Sequence, residues 1–239
     1  MNIYASHDIA ELIRDNSYVG RGIVIGKSAD GQSACTAYFI MGRSANSRNR
    51  IFVEEDGVLY TKPYDESRVE DPSLIIYAAL REYESRLIVT NGDQTDTIYD
   101  GLRRGKSFAD SLSSRTFEPD YPNFTPRISG MLTFTDNDFS YEMSILKSAD
   151  ENGSACNRYT FSYSPIAGLG HFIHTYEGDG DPLPTFCGEP ERISIPESMD
   201  DFTESLWNSL NSDNKISLYV RYTDLMTGKS EKRLINRNK

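Results

Sequence analysis

The arginine side chains are the groups of this chain best suited to binding an anion. Arg43, Arg48 and Arg50 form a cluster, whereas Arg21 and Arg127 lie alone among short polar residues. A guanidinium group can bind phosphate oxygens through two parallel hydrogen bonds. The formal net charge is −11, so any anionic ligand has to be held by local positive charge. Because basic clusters on acidic proteins are more often solvated surface than sites, the cluster alone leaves both interpretations open.

A polar turn is the second candidate for a ligand site. The apolar run of residues 87–89 stops at a stretch without apolar side chains, residues 91–97. This pattern predicts a buried strand, a turn and a helix that begins near Ile98, with Asp96 or Thr97 as its N-cap. A helix N-terminus at a strand end offers free backbone N–H groups to a ligand. A capped solvent loop is the simpler interpretation of the same residues.

Composition and charge exclude several classes of protein. With 38% hydrophobic and 26% charged residues in a chain of 239 residues, we expect a soluble globular protein. The net negative charge argues against nucleic acid and acidic membrane surfaces as partners. No apolar run approaches the ~20 residues of a membrane span, and the N-terminus lacks the pattern of a secretion signal. The expected location is the cytoplasm.

Cysteine and histidine spacing does not predict a metal site. Cys35, Cys156 and Cys187 are far apart, and His171 and His174 form a His-x-x-His pair with no carboxylate motif beside it. Zinc sites bring together three or four such ligands at short, regular spacings. We therefore expect free structural thiols, no metal ion and no cofactor.

Alternating hydrophobic residues and turn sequences predict mainly antiparallel strands. Two hairpins are expected around Asp-Gly turns, at residues 20–41 and 51–60. Further strands are expected at residues 87–89, 128–135, 139–146, 156–163 and 173–176, with a closing hairpin at 216–222 and 232–235.

Amphipathic segments predict the helices. They are expected at residues 1–16, 72–84, 98–104, 107–114 and 198–210, with Asp8, Ser107 and Ser198 as caps. In the second of these, Pro72 suits a first helical turn, and an apolar stripe follows at Ile75, Ile76, Ala79 and Leu80. The proline-rich residues 115–126 are predicted to form a loop.

Residues 1–239 contain no low-complexity linker and no internal repeat. We therefore expect a single α/β (α+β) domain, built from antiparallel hairpins with helices covering two sheets.

Four polar segments, taken in their order and approximate spacing, resemble the archaeal-type IMP cyclohydrolase family, which also occurs in bacteria. The segments are Tyr18-Val19-Gly20-Arg21; Gly42-Arg43-Ser44 with Asn46-Ser47-Arg48; Thr90-Asn91-Gly92 with Thr95-Asp96-Thr97-Ile98; and Glu118 with Asn123 and Thr125-Pro126-Arg127-Ile128. The resemblance covers about residues 17–185 and leaves residues 1–16 as an N-terminal helical extension. It implies a four-layer αββα sandwich similar to that of N-terminal nucleophile hydrolases.

The resemblance also implies a reaction and a set of site residues. The family closes 5-formamidoimidazole-4-carboxamide ribotide to inosine monophosphate (IMP) with loss of water, in the last step of purine synthesis, without a cofactor. The family's catalytic residues correspond here to Arg48, Tyr77 and Glu118. Its relatives assemble, which makes a homo-oligomer possible. Residues expected to bind the nucleotide are Arg21, Arg43, Ser44, Asn91, Gly92, Asp96, Thr97 and Arg127.

Two departures from the family pattern keep other hypotheses open. Phe124 interrupts an expected Asn-Thr-Pro-Arg sequence, and Arg50 adds a charge beside Arg48. A catalytically silent protein that binds or senses purine nucleotides on the same fold is therefore the second hypothesis. An amide hydrolase is disfavoured, because such enzymes on this fold expose a Ser, Thr or Cys amine at the mature N-terminus, and this chain begins Met1-Asn2.

Overall fold

The computed structural model describes residue 2, residues 4–69 and residues 76–238, and the strands in this part of the chain form two antiparallel sheets. The first sheet has six strands in the order β11 (Glu191–Ser194), β10 (Leu169–His174), β1 (Arg21–Lys27), β2 (Ser33–Met41), β12 (Lys215–Asp224) and β13 (Ser230–Asn236). The second has seven in the order β3 (Arg50–Glu55), β4 (Val58–Pro63), β5 (Tyr77–Tyr83), β6 (Arg86–Thr90), β7 (Arg127–Thr135), β8 (Asp138–Ser148) and β9 (Cys156–Tyr163).

Short helices connect or cover these strands. They are α1 (Ile9–Ile13), α2 (Ala45–Arg48), α3 (Gln94–Arg103), α4 (Phe108–Leu112) and α5 (Met199–Ser209), with one 3-10 turn at Glu66–Arg68. In the described part of the chain, none of the helices has the length and apolar character needed to cross a membrane.

The two sheets pack face to face around a shared apolar core. Ile23 of β1 and Tyr38 of β2 belong to the same buried cluster as Val89 of β6 and Leu132 of β7. Because side chains alternate along a strand, the next residue of each strand faces outwards. This alternation decides which polar residues at the strand ends point between the sheets.

Helices cover the outward faces. Phe39 of β2 packs with Leu206 of α5 in one cluster, which also contains residues of α1. Ile88 of β6 packs with Ile98 of α3 in another, together with residues of α4. The layers therefore follow in the order helix, sheet, sheet, helix, in an α+β fold of mainly antiparallel strands.

The structure confirms the predicted hairpins. β1 pairs with β2, and β3 with β4. At the second turn, Asp56 has φ 49° and Gly57 has φ 78°, the positive values that a two-residue connection of this type requires. Asp8, Ser107 and Ser198 accept hydrogen bonds from backbone N–H groups as the N-caps of their helices, as predicted.

The helix predicted at residues 72–84 is wrong. Tyr77–Tyr83 is strand β5, hydrogen-bonded to β4 and β6, and residues 72–75 lie outside the described residues. Tyr77 to Leu80 are all buried, because one face of this central strand meets the other sheet and the other face meets α3. The sequence of a strand buried on both faces is a continuous apolar run. Such a run also contains apolar residues at helical spacing, so it fits a helix equally well.

The predicted start of the third helix is also wrong. α3 begins at Gln94, with Asp93 at the N-cap position and no side-chain cap, so Asp96 and Thr97 lie in its first turns. The hydroxyl of Thr95 is 2.7 Å from that of Thr90 at the end of β6. This contact ties the helix start directly to the end of the strand, and only residues 91–93 lie between them.

Candidate active site

A polar cleft of about 370 Å³ opens where several strands of both sheets end. β1 and β3 begin here, β2 and β10 end here, and the loop between α4 and β7 closes one side. The cleft is lined by Tyr18, Arg21, Arg43, Ser44, Asn46, Ser47, Arg50, Glu118, Asp120, Asn123, Thr125, Tyr176 and Leu183.

Arg21 and Glu118 form a buried ion pair in this cleft. Arg21 shares the face of Ile23 and Ile25, so its side chain points between the sheets. Its Nη2 donates to both Glu118 carboxylate oxygens, at 3.1 and 3.3 Å. Burial opposes the charge of Arg21, but the Glu118 carboxylate and nearby tyrosines outweigh it and raise the arginine pKa well above its usual value. Within the described residues, the buried Nε of Arg21 has no hydrogen-bond partner.

Arg50 is a second buried guanidinium group on the cleft. It begins β3 two residues before the core residue Phe52, and only 5% of its surface is exposed. Its Nε donates to the backbone oxygen of Ser47 at 2.7 Å and its Nη2 to that of Met41 at 3.1 Å. Burial and the positive charge of Arg21 lower the pKa of Arg50. A bound anion would offset the cost of this buried charge.

Tyr77 lies beside the cleft, in the core between the sheets. Its side chain is buried, and its Oη is 2.8 Å from the Oη of Tyr38 on β2. Tyr77 is close enough to Arg21 and Arg50 to influence the ionisation of both guanidinium groups. Arg21, Glu118 and Tyr77, which the sequence predicted as site residues, are therefore brought together.

Arg48 lies outside the cleft, on the exposed end of α2. Its Nε donates to the Gly42 backbone oxygen at 3.1 Å and its Nη2 to Asn214 Oδ1 at 2.9 Å. Asn214 in turn donates to the backbone oxygen of Ser17 at 3.0 Å. These contacts fasten the end of β2 to the segments that precede β1 and β12, so Arg48 supports the cleft from behind.

Arg43 and Ser44 line the mouth of the cleft. Arg43 pairs with Asp179, donates to the Gly180 backbone oxygen at 2.9 Å, and lies 5.1 Å from the centre of the Tyr18 ring. Ser44 is the N-cap of α2 and accepts a hydrogen bond from the Ser47 N–H at 3.0 Å. Both side chains are exposed, which leaves them accessible to a ligand.

Asn91 joins the end of β6 to the start of β7. Its Nδ2 donates to the Pro126 backbone oxygen at 2.8 Å, while its Oδ1 accepts from the Ile128 N–H at 3.0 Å and from Gln94 Nε2 at 2.9 Å. The side chain is fully buried. Its hydrogen-bonding capacity is thus used within the protein.

Gly92 and Arg127 lie next to Glu118, on the helix side of the sheet. Arg127 donates to Asp93 Oδ1 at 2.7 Å and to Gln94 Oε1 at 2.8 Å. A Cβ atom at Gly92 would lie 2.7 Å from Arg127 Nη1 and 3.6 Å from Glu118 Oε1, so a larger residue here would displace the Arg127 guanidinium group. Burial lowers the pKa of Arg127, while the charges of Glu118 and Asp93 act in the opposite direction.

Asp96 and Thr97 are not brought to the cleft. Asp96 is exposed and accepts a hydrogen bond from Arg81 Nη1 at 2.7 Å. Thr97 lines a separate cavity beside α4, together with Arg104 and Lys106. The early start of α3 turns both side chains away from the strand ends.

Several cleft residues were not predicted to be functional. Tyr176 stacks on Tyr18 with 5.8 Å between ring centres, and its Oη is 2.5 Å from Thr125 Oγ1. Asp120 accepts a hydrogen bond from the Thr125 N–H at 2.7 Å, which folds the loop that carries Glu118. Arg50 belongs to the arginine cluster of the sequence but was not among the predicted site residues. Its spacing from Phe52 was the available signal, because residues i and i+2 of a strand share a face.

Comparison with known proteins identifies the family of this chain. A family profile described as "IMP cyclohydrolase-like protein" matches residues 18–229. Among curated proteins named IMP cyclohydrolase, that of Methanopyrus kandleri is 38% identical over 115 residues, covering 47% of this chain and 57% of that protein. That of Methanothrix thermoacetophila is 32% identical over 120 residues, covering 48% and 58%. That of Haloquadratum walsbyi is 27% identical over 118 residues, covering 48% and 56%. The aligned segments thus span somewhat more than half of these relatives, whereas the profile spans most of this chain, which belongs to the IMP cyclohydrolase-like family.

Proposed function

We propose that this protein is an IMP cyclohydrolase, which closes 5-formamidoimidazole-4-carboxamide ribotide to IMP with loss of water. Membership of the family and the names of its relatives support the reaction. The observation that carries the proposal is the pair of buried guanidinium groups, Arg21 and Arg50, on one polar cleft. A volume of about 370 Å³ lies within the range of roughly 300–1,000 Å³ typical of small-ligand sites.

The reaction defines what the site has to supply. The carboxamide nitrogen forms a bond to the formyl carbon, and the formyl oxygen leaves as water. One proton of that water comes from the carboxamide nitrogen and the other from the formamido nitrogen. Because both reacting groups belong to one molecule, the enzyme must mainly fix their rotamers, stabilise negative charge on the formyl oxygen and move protons.

Arg50 and Arg21 are suited to stabilising that oxygen. Both are buried, both point between the sheets, and Arg21 retains an unpartnered Nε in the described part of the chain. One well-placed donor to a developing oxyanion contributes about 2.7–4 kcal/mol. We therefore propose Arg50 for the role that sequence resemblance gave to Arg48, and a positioning role for Arg48 through Gly42 and Asn214.

Glu118 and Tyr77 are the groups proposed to move protons. Glu118 is the buried carboxylate of the cleft, where it accepts two hydrogen bonds from Arg21 and lies near Arg127. It can take the proton of the carboxamide nitrogen. Tyr77, beside both buried arginines, can pass a proton towards the departing oxygen.

The nucleotide phosphate requires a separate group of contacts. We propose Arg43 and Ser44, whose side chains are exposed at the mouth of the cleft. Asn91, Gly92 and Arg127 are proposed to shape the wall behind Glu118. For Asp96 and Thr97, substrate binding stays a prediction from the sequence.

We also propose the sandwich fold that the family resemblance implies, in a single domain. The order helix, sheet, sheet, helix supports the N-terminal nucleophile hydrolase-like sandwich, without its nucleophile. Packing of α1 against α5 supports one domain that includes the N-terminal extension. A cytoplasmic location and a homo-oligomer stay predictions.

Direct assay tests the function. Purified protein is incubated with the formamido ribotide, IMP formation is followed by chromatography, and IMP binding is measured by calorimetry. We expect IMP to form with the intact protein and turnover to be largely lost in Glu118→Gln. Tight IMP binding without any turnover would instead support the nucleotide-sensor hypothesis.

A further inference from the structure

Tyr38 is a buried tyrosine that neither the resemblance nor the cleft lining includes. Its hydroxyl is 2.8 Å from that of Tyr77, and its ring stacks on Phe52 with 5.3 Å between centres. Tyr38 lies in the middle of β2, with Ile23 on one side and Tyr219 on the other. Its position is therefore fixed by two neighbouring strands and by a residue of the opposite sheet.

We propose that Tyr38 is a positioning residue for the ring closure, whose hydroxyl donates to Tyr77 Oη and directs the Tyr77 O–H towards the cleft. This role rests on the proposed function, because it gives Tyr77 a defined orientation for proton transfer.

Either hydroxyl can donate in this pair, and the proposed role assigns the donor to Tyr38. Its side chain has no exposed surface, and burial raises its pKa well above the usual value, although Arg21 and Arg50 act in the opposite direction. Tyr38 therefore keeps its proton and can donate it to the Tyr77 oxygen. With Tyr38 as the donor, Tyr77 accepts, and its own proton is free to point elsewhere.

No competing hydroxyl in the described part of the chain fixes Tyr77 differently. Thr61 is its partner in the register between β4 and β5, and directly opposite residues project from the same face of a sheet. The buried Thr61 Oγ1 has no hydrogen-bond partner within the described residues, so it does not hold the Tyr77 hydroxyl. The Tyr38 contact is the one that sets its direction.

The arginines complete the geometry. Arg21 and Arg50 lie close enough to Tyr77 to influence its electrostatic surroundings, and guanidinium groups offer donors only. With Tyr38 donating and two cations nearby, the phenol oxygen is held as an acceptor. A substrate oxygen or nitrogen in the cleft is then the remaining partner for its proton.

Kinetics of Tyr38→Phe test this role, with Tyr219→Phe as the matched control. Both tyrosines are buried and directly opposite each other on neighbouring strands, but Tyr219 makes no contact with Tyr77 in the hydrogen-bond network. We expect Tyr38→Phe to lower kcat by about 10-fold with KM changed by less than about twofold, and Tyr219→Phe to leave both constants within about twofold.

A double-mutant cycle separates positioning from general packing. Tyr38→Phe should have almost no further effect on kcat once Tyr77 is phenylalanine, because the group that it orients is gone. Additive losses in the double variant, or a wild-type kcat in Tyr38→Phe, would overturn the positioning role while leaving the cyclohydrolase activity intact. Wild-type protein that forms no IMP would overturn both proposals.

Loss of fold is checked separately by thermal unfolding of each variant. Should Tyr38→Phe not fold, site-specific replacement of Tyr38 by 3-fluorotyrosine keeps the ring and hydroxyl but makes the hydroxyl a stronger acid. The pH profile of kcat should then differ from that of the wild type. An unchanged profile would contradict the role.

Discussion

The cleft and the turn after β6 both contain buried polar side chains, but they use their hydrogen-bonding groups differently. In the turn, Asn91 makes three hydrogen bonds, and Gln94 bonds both Asn91 and Arg127. In the cleft, Arg21 keeps an unpartnered Nε in the described part of the chain, and Arg50 donates to two backbone oxygens. The turn is saturated internally, whereas the cleft retains donors and positive charge.

This difference indicates a structural role for the turn and a ligand-binding role for the cleft. A buried polar group that lacks a partner costs about 1–3 kcal/mol, so it persists where a ligand or function compensates for it. The saturated turn instead holds the start of β7 and places Arg127 beside Glu118. The turn therefore supports the site, and the cleft provides the contacts for the substrate.

The largest effect is expected for Glu118→Gln. This change keeps the shape of the side chain but removes the charge that pairs with Arg21. Loss of a group that transfers a proton lowers kcat by about 10²-fold or more. Steady-state kinetics measure this loss, and urea unfolding shows whether the protein stays folded. A kcat close to wild type would remove Glu118 from the mechanism.

Asn91→Ala tests the structural role of the turn after β6. Truncation leaves the Ile128 N–H, the Pro126 oxygen and the Gln94 amide without their buried partner. We expect the free energy of unfolding to fall by about 2–3 kcal/mol, while the affinity of the folded protein for IMP stays unchanged. Urea unfolding and calorimetry measure the two quantities. A large loss of affinity with normal stability would place Asn91 in direct contact with the ligand.

The hairpins and several helix caps of this fold were predicted correctly from the sequence, whereas the central strand β5 was not. The Asp-Gly hairpins and the caps at Asp8, Ser107 and Ser198 were correct because local chemistry determines them. Strand β5 was missed because burial on both faces removes the alternation that identifies a strand.

The directions and partners of the site side chains could not be predicted from the spacing of residues in the sequence. Arg48 and Arg50 are two residues apart, but α2 ends between them, so one side chain faces Asn214 and the other faces the cleft. Of these two arginines, the resemblance selects Arg48, whereas Arg50 is the one that lines the cleft. Whether a polar residue such as Asn91 is already saturated depends on partners from a distant strand, which the local sequence does not specify.

The two neighbouring arginines provide a matched pair for the next test. Arg50→Gln removes a buried charge that lines the cleft, whereas Arg48→Gln removes an exposed one that fastens Gly42 to Asn214. We expect Arg50→Gln to weaken IMP binding about 10-fold or more and Arg48→Gln to weaken it by less than about threefold. Calorimetry with IMP compares them directly. The reverse order would restore the role that resemblance assigns to Arg48.

The smallest effect is expected for Asp96→Ala, which probes whether the turn extends to the ligand. Asp96 is exposed and pairs with Arg81, whose guanidinium group is also held 3.5 Å from the centre of the Tyr99 ring. Exposed ion pairs contribute about 0–1 kcal/mol, and Arg81 keeps its aromatic contact after the substitution. Stability should therefore change by less than about 1 kcal/mol, and IMP affinity by less than about twofold. A 10-fold loss of affinity, about 1.4 kcal/mol, would place the start of α3 in the binding site and contradict the contrast between the turn and the cleft.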